Sequence, residues 1–223
     1  MDKPIFDIYL ANGNITVFCG THADKLKSDI LNSSLYAELV ATRQTNDPET
    51  SWLTYTDVLS KFNWVINSRD RQRKEFDNTS LLQLIIQSAG NALPTYERQA
   101  LDNAFSRIKK LGSDSLVIHT IIDKLKTNAT FTTGSSHALL NIVRKDKTLL
   151  TLQISFETAK GLDISILDEP VLMSVNNGKT NIRMLRSSLD ELRYNDVRDT
   201  VIQKLGNKIN TELLHIPVCS ALN

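Results

Sequence analysis

Apolar residues alternate with polar ones at the start of the chain and again after residue 129, and between those stretches they recur every three to four positions. Ile5 to Leu10 and Ile15 to Cys19 flank Asn12-Gly13-Asn14, which predicts a hairpin whose turn takes positive φ. From His22 to Arg43 the helical period takes over, with Leu26, Ile30, Leu31, Leu35, Leu39 and Val40 on one face, until Asn46-Asp47-Pro48 breaks it. Thr50 or Ser51 is placed to cap a second helix with Trp52, Tyr55, Val58 and Leu59 inside, and Trp64-Val65-Ile66 reads as a short strand. Asn67 to Phe76 is polar and basic, an exposed loop or strand end.

Further helices are predicted over Leu81–Ala89, capped from Asn78-Thr79-Ser80; from Pro94 to Leu111, stopped by Gly112; and from Ser113 or Asp114 to Leu125. After Thr127 the period becomes two. Ala129–Thr133 is a candidate strand, Gly134-Ser135-Ser136 a turn, and His137–Val143 and Leu149–Phe156 a pair joined at Arg144–Lys147. In the last strand Leu150, Leu152, Ile154 and Phe156 face one way and Leu149, Thr151, Gln153 and Ser155 the other, which predicts a sheet with one wetter face. Residues 157–170 read as a longer loop. Val171–Val175 and Asn181–Leu185 flank Asn177-Gly178, a strong hairpin signal, and Leu189 to Leu214 reads as a C-terminal helix that Gly206 can interrupt. Segregated helices and strands indicate an α+β fold: an antiparallel meander packed with an N-terminal group of helices and a C-terminal helix, in a single globular domain over residues 1–223.

With 41% hydrophobic and 23% charged residues, the 223-residue chain has the composition of an ordinary globular protein. Its 26 basic and 25 acidic residues are spread evenly, 13 and 13 up to Leu111 and 13 and 12 beyond it. No nucleic-acid partner is expected from such a balance. No run approaches the roughly 18 apolar residues of a membrane span. Met1-Asp2-Lys3-Pro4-Ile5 lacks the basic-then-apolar pattern of a signal peptide, so synthesis in the cytoplasm is expected.

Chemistry-bearing motifs are sparse. The 8 glycines build neither a phosphate loop nor a dinucleotide fingerprint. His22, His119, His137 and His215 lack metal-ligand spacing, and Ser136 beside His137 lacks the strand–turn–helix frame of a nucleophile elbow. Asp163, Asp168 and Glu169 do not follow a calcium-loop pattern. No catalytic residue, no metal site and no bound cofactor is therefore assigned. Tyr36, Trp52, Tyr55 and Trp64 have the spacing of core aromatics. Arg69, Arg71 and Arg73, with Lys74, form the one suggestive charge cluster: extended, the arginines share a face and can contact phosphate or carboxylate groups; helical, they scatter. Cys19 and Cys219 lie at opposite ends and form no metal pattern.

Two further signatures are Trp52-x-x-Tyr55-x-x-Val58-Leu59 with Trp64-Val65, and Tyr194-x-x-Val197-Arg198-x-x-Val201-x-x-Lys204-Leu205-Gly206. Together with the central meander, over the last three quarters of the chain, they resemble bacterial proteins of the Evf virulence-factor type. That resemblance implies a mixed α and β protein that affects persistence in an animal host. It further implies a fatty acid held as a thioester on a cysteine, for which Cys219 and Cys19 are the candidates. The expected role is a non-enzymatic, virulence- or insecticidal-type protein acting through a membrane surface, a lipid or a host protein, with release to the host. The alternatives are a cytoplasmic interaction module, using the wetter sheet face or Arg69–Lys74, and an enzyme assembled from scattered residues.

Overall fold

A computed structural model describes residues 4–129, 135–158, 161–175 and 180–218. The predicted hairpin forms as β1 (Phe6–Ala11) and β2 (Asn14–Cys19), paired antiparallel around Asn12 and Gly13 at φ 51° and 78°. Gly13 is required for a second reason, since a Cβ there would collide with the Lys124 Cβ. Helix α1 (Asp24–Gln44) follows, and α2 (Pro48–Lys61) begins earlier than the sequence suggests. Its cap is Asp47, whose carboxylate accepts from the Thr50 N–H at 2.8 Å, while Pro48 occupies the first turn, where no backbone donor is needed.

The chain then enters β3 (Trp64–Gln72), passes through α3 (Leu81–Ala89), α4 (Thr95–Lys109) and α5 (Leu116–Thr127), and returns as β4 (Ser135–Val143), β5 (Leu149–Thr158), β6 (Leu172–Met173) and β7 (Ile182–Leu189). Short helices α6 (Glu191–Tyr194), α7 (Arg198–Leu205) and α8 (Lys208–Glu212) lead to β8 (Leu213–Ile216). The long C-terminal helix expected from periodicity is thus three pieces. Leu189 ends a strand, Gly206 breaks the middle at φ 53°, and Leu213 onward pairs with β1.

All eight strands join one mixed sheet, in the order β3-β7-β5-β4-β2-β1-β8, with β6 on the end of β5. The fold is α+β, as the segregation of elements indicates. The meander is not separate from the hairpin, because β2 runs parallel to β4 with Ile15 opposite Leu140. The hairpin expected between Val171–Val175 and Asn181–Leu185 does not form either. β6 pairs with β5, while β7 lies between β5 and β3. Its tip at 176–179 lies outside the described residues, as do most of the candidate strand Ala129–Thr133 and Gly134. Ser135 and Ser136, read as a turn, open β4.

Neither face of β5 is wet. Leu150, Leu152, Ile154 and Phe156 pack under α3, α4 and α5 in one apolar cluster. The opposite face of β5 is covered by α1, α2 and α7, and Thr151, Gln153 and Ser155 are buried beneath them. The polar alternation was genuine, but it marks a polar interior rather than a solvated surface. Trp52, Tyr55 and Trp64 belong to that second core, and the Trp64 indole N–H donates to Ser33 Oγ at 3.1 Å. α7 is fastened to α1 by Arg198, which donates two bonds of 2.7 Å to the buried Asp29 carboxylate.

Candidate functional site

The covered polar face follows from strand register. Thr16, Asn141 and Thr151 stand in one cross-strand row, and Gln153, Arg183 and Arg71 in the next. α1 lays Ser33, Ser34 and Glu38 over these rows, and α2 adds Tyr55. Thr151 donates to Asn141 Oδ1 at 2.8 Å. At one end the Glu38 carboxylate meets the Lys124 ammonium at 2.6 Å, both side chains under a tenth exposed. Thr42 joins them, donating to Glu38 at 3.1 Å and accepting from Lys124 at 3.1 Å. A surface cleft of about 330 Å³ opens beside this trio, between α1, α5 and the β1–β2 turn.

Burial alone would raise the Glu38 pKa, but Lys124, by charge and hydrogen bond, outweighs it, with smaller help from His137 and Asn14, and holds the carboxyl below its usual range. His137 shares this interior. Burial pushes its pKa down to about 4, against the opposing pull of Glu38, so the imidazole is neutral at pH 7. Burial likewise pushes the Tyr55 phenol up to about 12. Thr16 Oγ1, His137 Nδ1, Ser155 Oγ and Arg183 Nε have no hydrogen-bond partner among the described residues. Buried polar atoms of this kind are the places where water or a ligand group is held.

Ser136 and His137 are neighbours in β4 and so point to opposite faces. Ser136 Oγ donates to the Leu125 carbonyl at 2.7 Å, turned away from the imidazole. Among the described residues, no three His, Cys, Asp or Glu side chains converge as metal ligands, and no helix is long and apolar enough to cross a membrane.

The basic segment is extended. β3 continues through Gln72, an irregularity between Ile66 and Ser68 resets its register, and Arg69 and Arg71 then stand opposite Leu185 and Arg183. Both arginines therefore face the α2 side, while Asp70 faces the other. Arg73 follows just past the strand. Asn67 to Arg73 are all exposed, and Lys74 is half-buried. Arg71 Nη1 approaches Glu49 at 3.5 Å and Arg73 Nη2 approaches Glu75 at 3.0 Å. β3 ends the sheet order, so its outer edge has no strand partner among the described residues.

Cys19 lies wholly buried in the helix-covered core, its Sγ 3.9 Å from the Glu97 carbonyl. Burial, reinforced by the Glu97 charge, pushes the thiol up to about 12. Cys219 lies outside the described residues. Sequence reasoning identified the arginine stretch and set His137 aside for want of a partner, but missed Glu38, Lys124 and Arg183. The available signal was the polar side of β5 together with Ser33, Ser34 and Glu38 interleaved among the apolar positions of α1.

No protein-family model matches the chain, and no curated protein matches it. Among solved structures the Evf virulence factor is similar over 93% of this chain and 83% of that one, at 11% identity and a TM-score of 0.38. At that level the two chains share no more than a loose arrangement of elements.

Proposed function

We propose that the chain is a binding protein that takes an acidic, extended segment of a protein partner as an added strand along β3. The observation that carries this reading is the outer edge of β3, which has no strand partner among the described residues over Trp64–Gln72 and bears Arg69 and Arg71 on one face. An edge strand offers a row of backbone donors and acceptors, and charges and irregularities on it deter indiscriminate pairing. A partner with Asp or Glu at alternate positions sets its carboxylates beside the arginines, because side chains two apart share a face. Within the Evf-type resemblance of the sequence, that partner is a host protein.

The test is fluorescence anisotropy with an eight-residue peptide that alternates Glu and Thr, against a peptide of the same composition in two blocks. The alternating peptide should bind more tightly, and replacing Arg69, Arg71 and Arg73 together by Ser should weaken it at least about tenfold. Equal binding of the two peptides, or an unaffected triple variant, overturns the reading. Binding to anionic vesicles that high salt abolishes, without peptide binding, would assign the same arginines to a membrane surface instead. S-acylation is a separate proposal from the resemblance alone. Intact mass before and after hydroxylamine decides it, since a thioester-linked chain is released and an unmodified thiol is not.

A further inference from the structure

Arg71 and Arg183 stand directly opposite one another on β3 and β7. Like charges in that position repel, and such a pair needs a counter-charge between them. Glu49, in the first turn of α2, supplies it incompletely. Its two oxygens reach in different directions, Oε1 to Arg71 Nη1 at 3.5 Å and Oε2 to Arg183 Nη2 at 4.0 Å. Arg183 is only 3% exposed. It donates through Nη1 to Gln153 Oε1 at 3.1 Å, and its Nε has no partner among the described residues. A buried guanidinium normally has a close, two-pronged carboxylate, since removal from water is otherwise costly. Asp47 also acts on Arg183 electrostatically, but its carboxylate is bound to the Thr50 N–H and hydroxyl, each at 2.8 Å. Asp70 faces the other side of the sheet, and Glu75 is paired with Arg73.

We propose that Arg71 and Arg183 form a clamp for one carboxylate of an acidic side chain in the bound segment, which displaces Glu49 and takes the unused Arg183 Nε–H. The proposal rests on the β3 reading and deepens it, because it names the position in the partner that is read most strictly. Gln153 holds the guanidinium from the interior side, so the carboxylate enters from the exposed Arg71 side. One residue of the partner segment is thereby anchored, while its neighbour two positions away meets Arg69 in solvent.

The test uses the full chain with ¹⁵N-labelled arginine and follows the side-chain Nε–Hε signals while the alternating Glu/Thr peptide, and separately inorganic phosphate, is added. With peptide, the Arg183 signal should move and saturate. Glu49→Gln should tighten peptide binding about tenfold by removing the competing carboxylate, whereas a merely structural Glu49 would leave affinity unchanged or lower it. Arg183→Gln should weaken binding by a similar factor. Arg71→Gln, half-exposed and safe for folding, carries the same expectation. Peptide binding with an unmoved Arg183 signal and no gain from Glu49→Gln overturns the clamp and leaves the β3 reading standing. A shift with phosphate but no peptide binding overturns both, and marks an adventitious ion only.

Discussion

Replacing Lys124 by Met removes one partner of the buried Glu38–Lys124 pair and leaves a carboxylate in an interior under a tenth exposed. Breaking such a pair from one side costs about 3–5 kcal/mol, far more than an exposed ion pair contributes. At this chain length about 2–4 °C of Tm accompanies each kcal/mol, so the melting point should fall by about 6–20 °C. The pH dependence supplies the sharper check. In the native chain Glu38 has a folded pKa below its unfolded value, so its contribution is present above the unfolded pKa and lost as pH falls through the folded one. Without Lys124, burial dominates and the folded pKa rises above the unfolded value. The deficit of Lys124→Met relative to the native chain should therefore shrink between pH 7.5 and pH 5. Urea denaturation of Lys124→Met, Glu38→Gln and the double variant at both pH values measures this. The double variant should cost less than the sum of the single ones. A single-variant loss below about 1 kcal/mol at pH 7.5, or a deficit that grows in acid, would refute the reasoning.

Two further outcomes follow from the same interior and its opposite layer. His137 has a folded pKa of about 4 against an ordinary 6.5, so its neutral form contributes stability that is complete above pH 6.5 and lost toward pH 4, up to about 3 kcal/mol; the loss should be visible in urea titrations across that range and should flatten in His137→Gln, and an unchanged slope would contradict it. Cys19, buried and with its thiol pushed up to about 12, should resist Ellman's reagent at pH 8 in a folded Cys219→Ser variant and react once guanidinium unfolds the chain, whereas rapid native labelling would show the thiol to be accessible.

The local elements were legible because their signals are local. Asn12-Gly13 sets the first turn, Ser80 caps α3, and the stripe from Tyr96 to Ile108 makes α4. What was hidden required knowing which surfaces meet. The polar side of β5 looks solvated in isolation, and only the placement of α1, with Ser34 and Glu38 facing inward, turns it into a buried seam. The Asn-Gly signal after Val175 predicts two strands that pair with each other, but pairing to β5 competes for both flanks and wins. Arg69, Arg71 and Arg73 were visible as a cluster, and whether they share a face depended on β3 running on to Gln72, which β7 decides by pairing with it. Arg183 gave no signal at all in the sequence, since one arginine in an alternating strand looks like any other outward-facing residue.

The position of β1 in the sheet has a consequence for synthesis. Its partners are β2, made at once, and β8, whose Leu214 pairs with Leu10. The other side of β2 waits for β4, whose Leu140 pairs with Ile15. A two-stranded hairpin is marginal alone, so β1 and β2 hold two unpaired edges while the rest is made. At about 5–20 residues per second, the stretch between Leu10 and Leu214 takes roughly 10–40 s to emerge. Throughout that interval β1 presents Ile8 and Leu10 on a bare edge, which makes the nascent chain, more than the finished one, the form that a chaperone must attend.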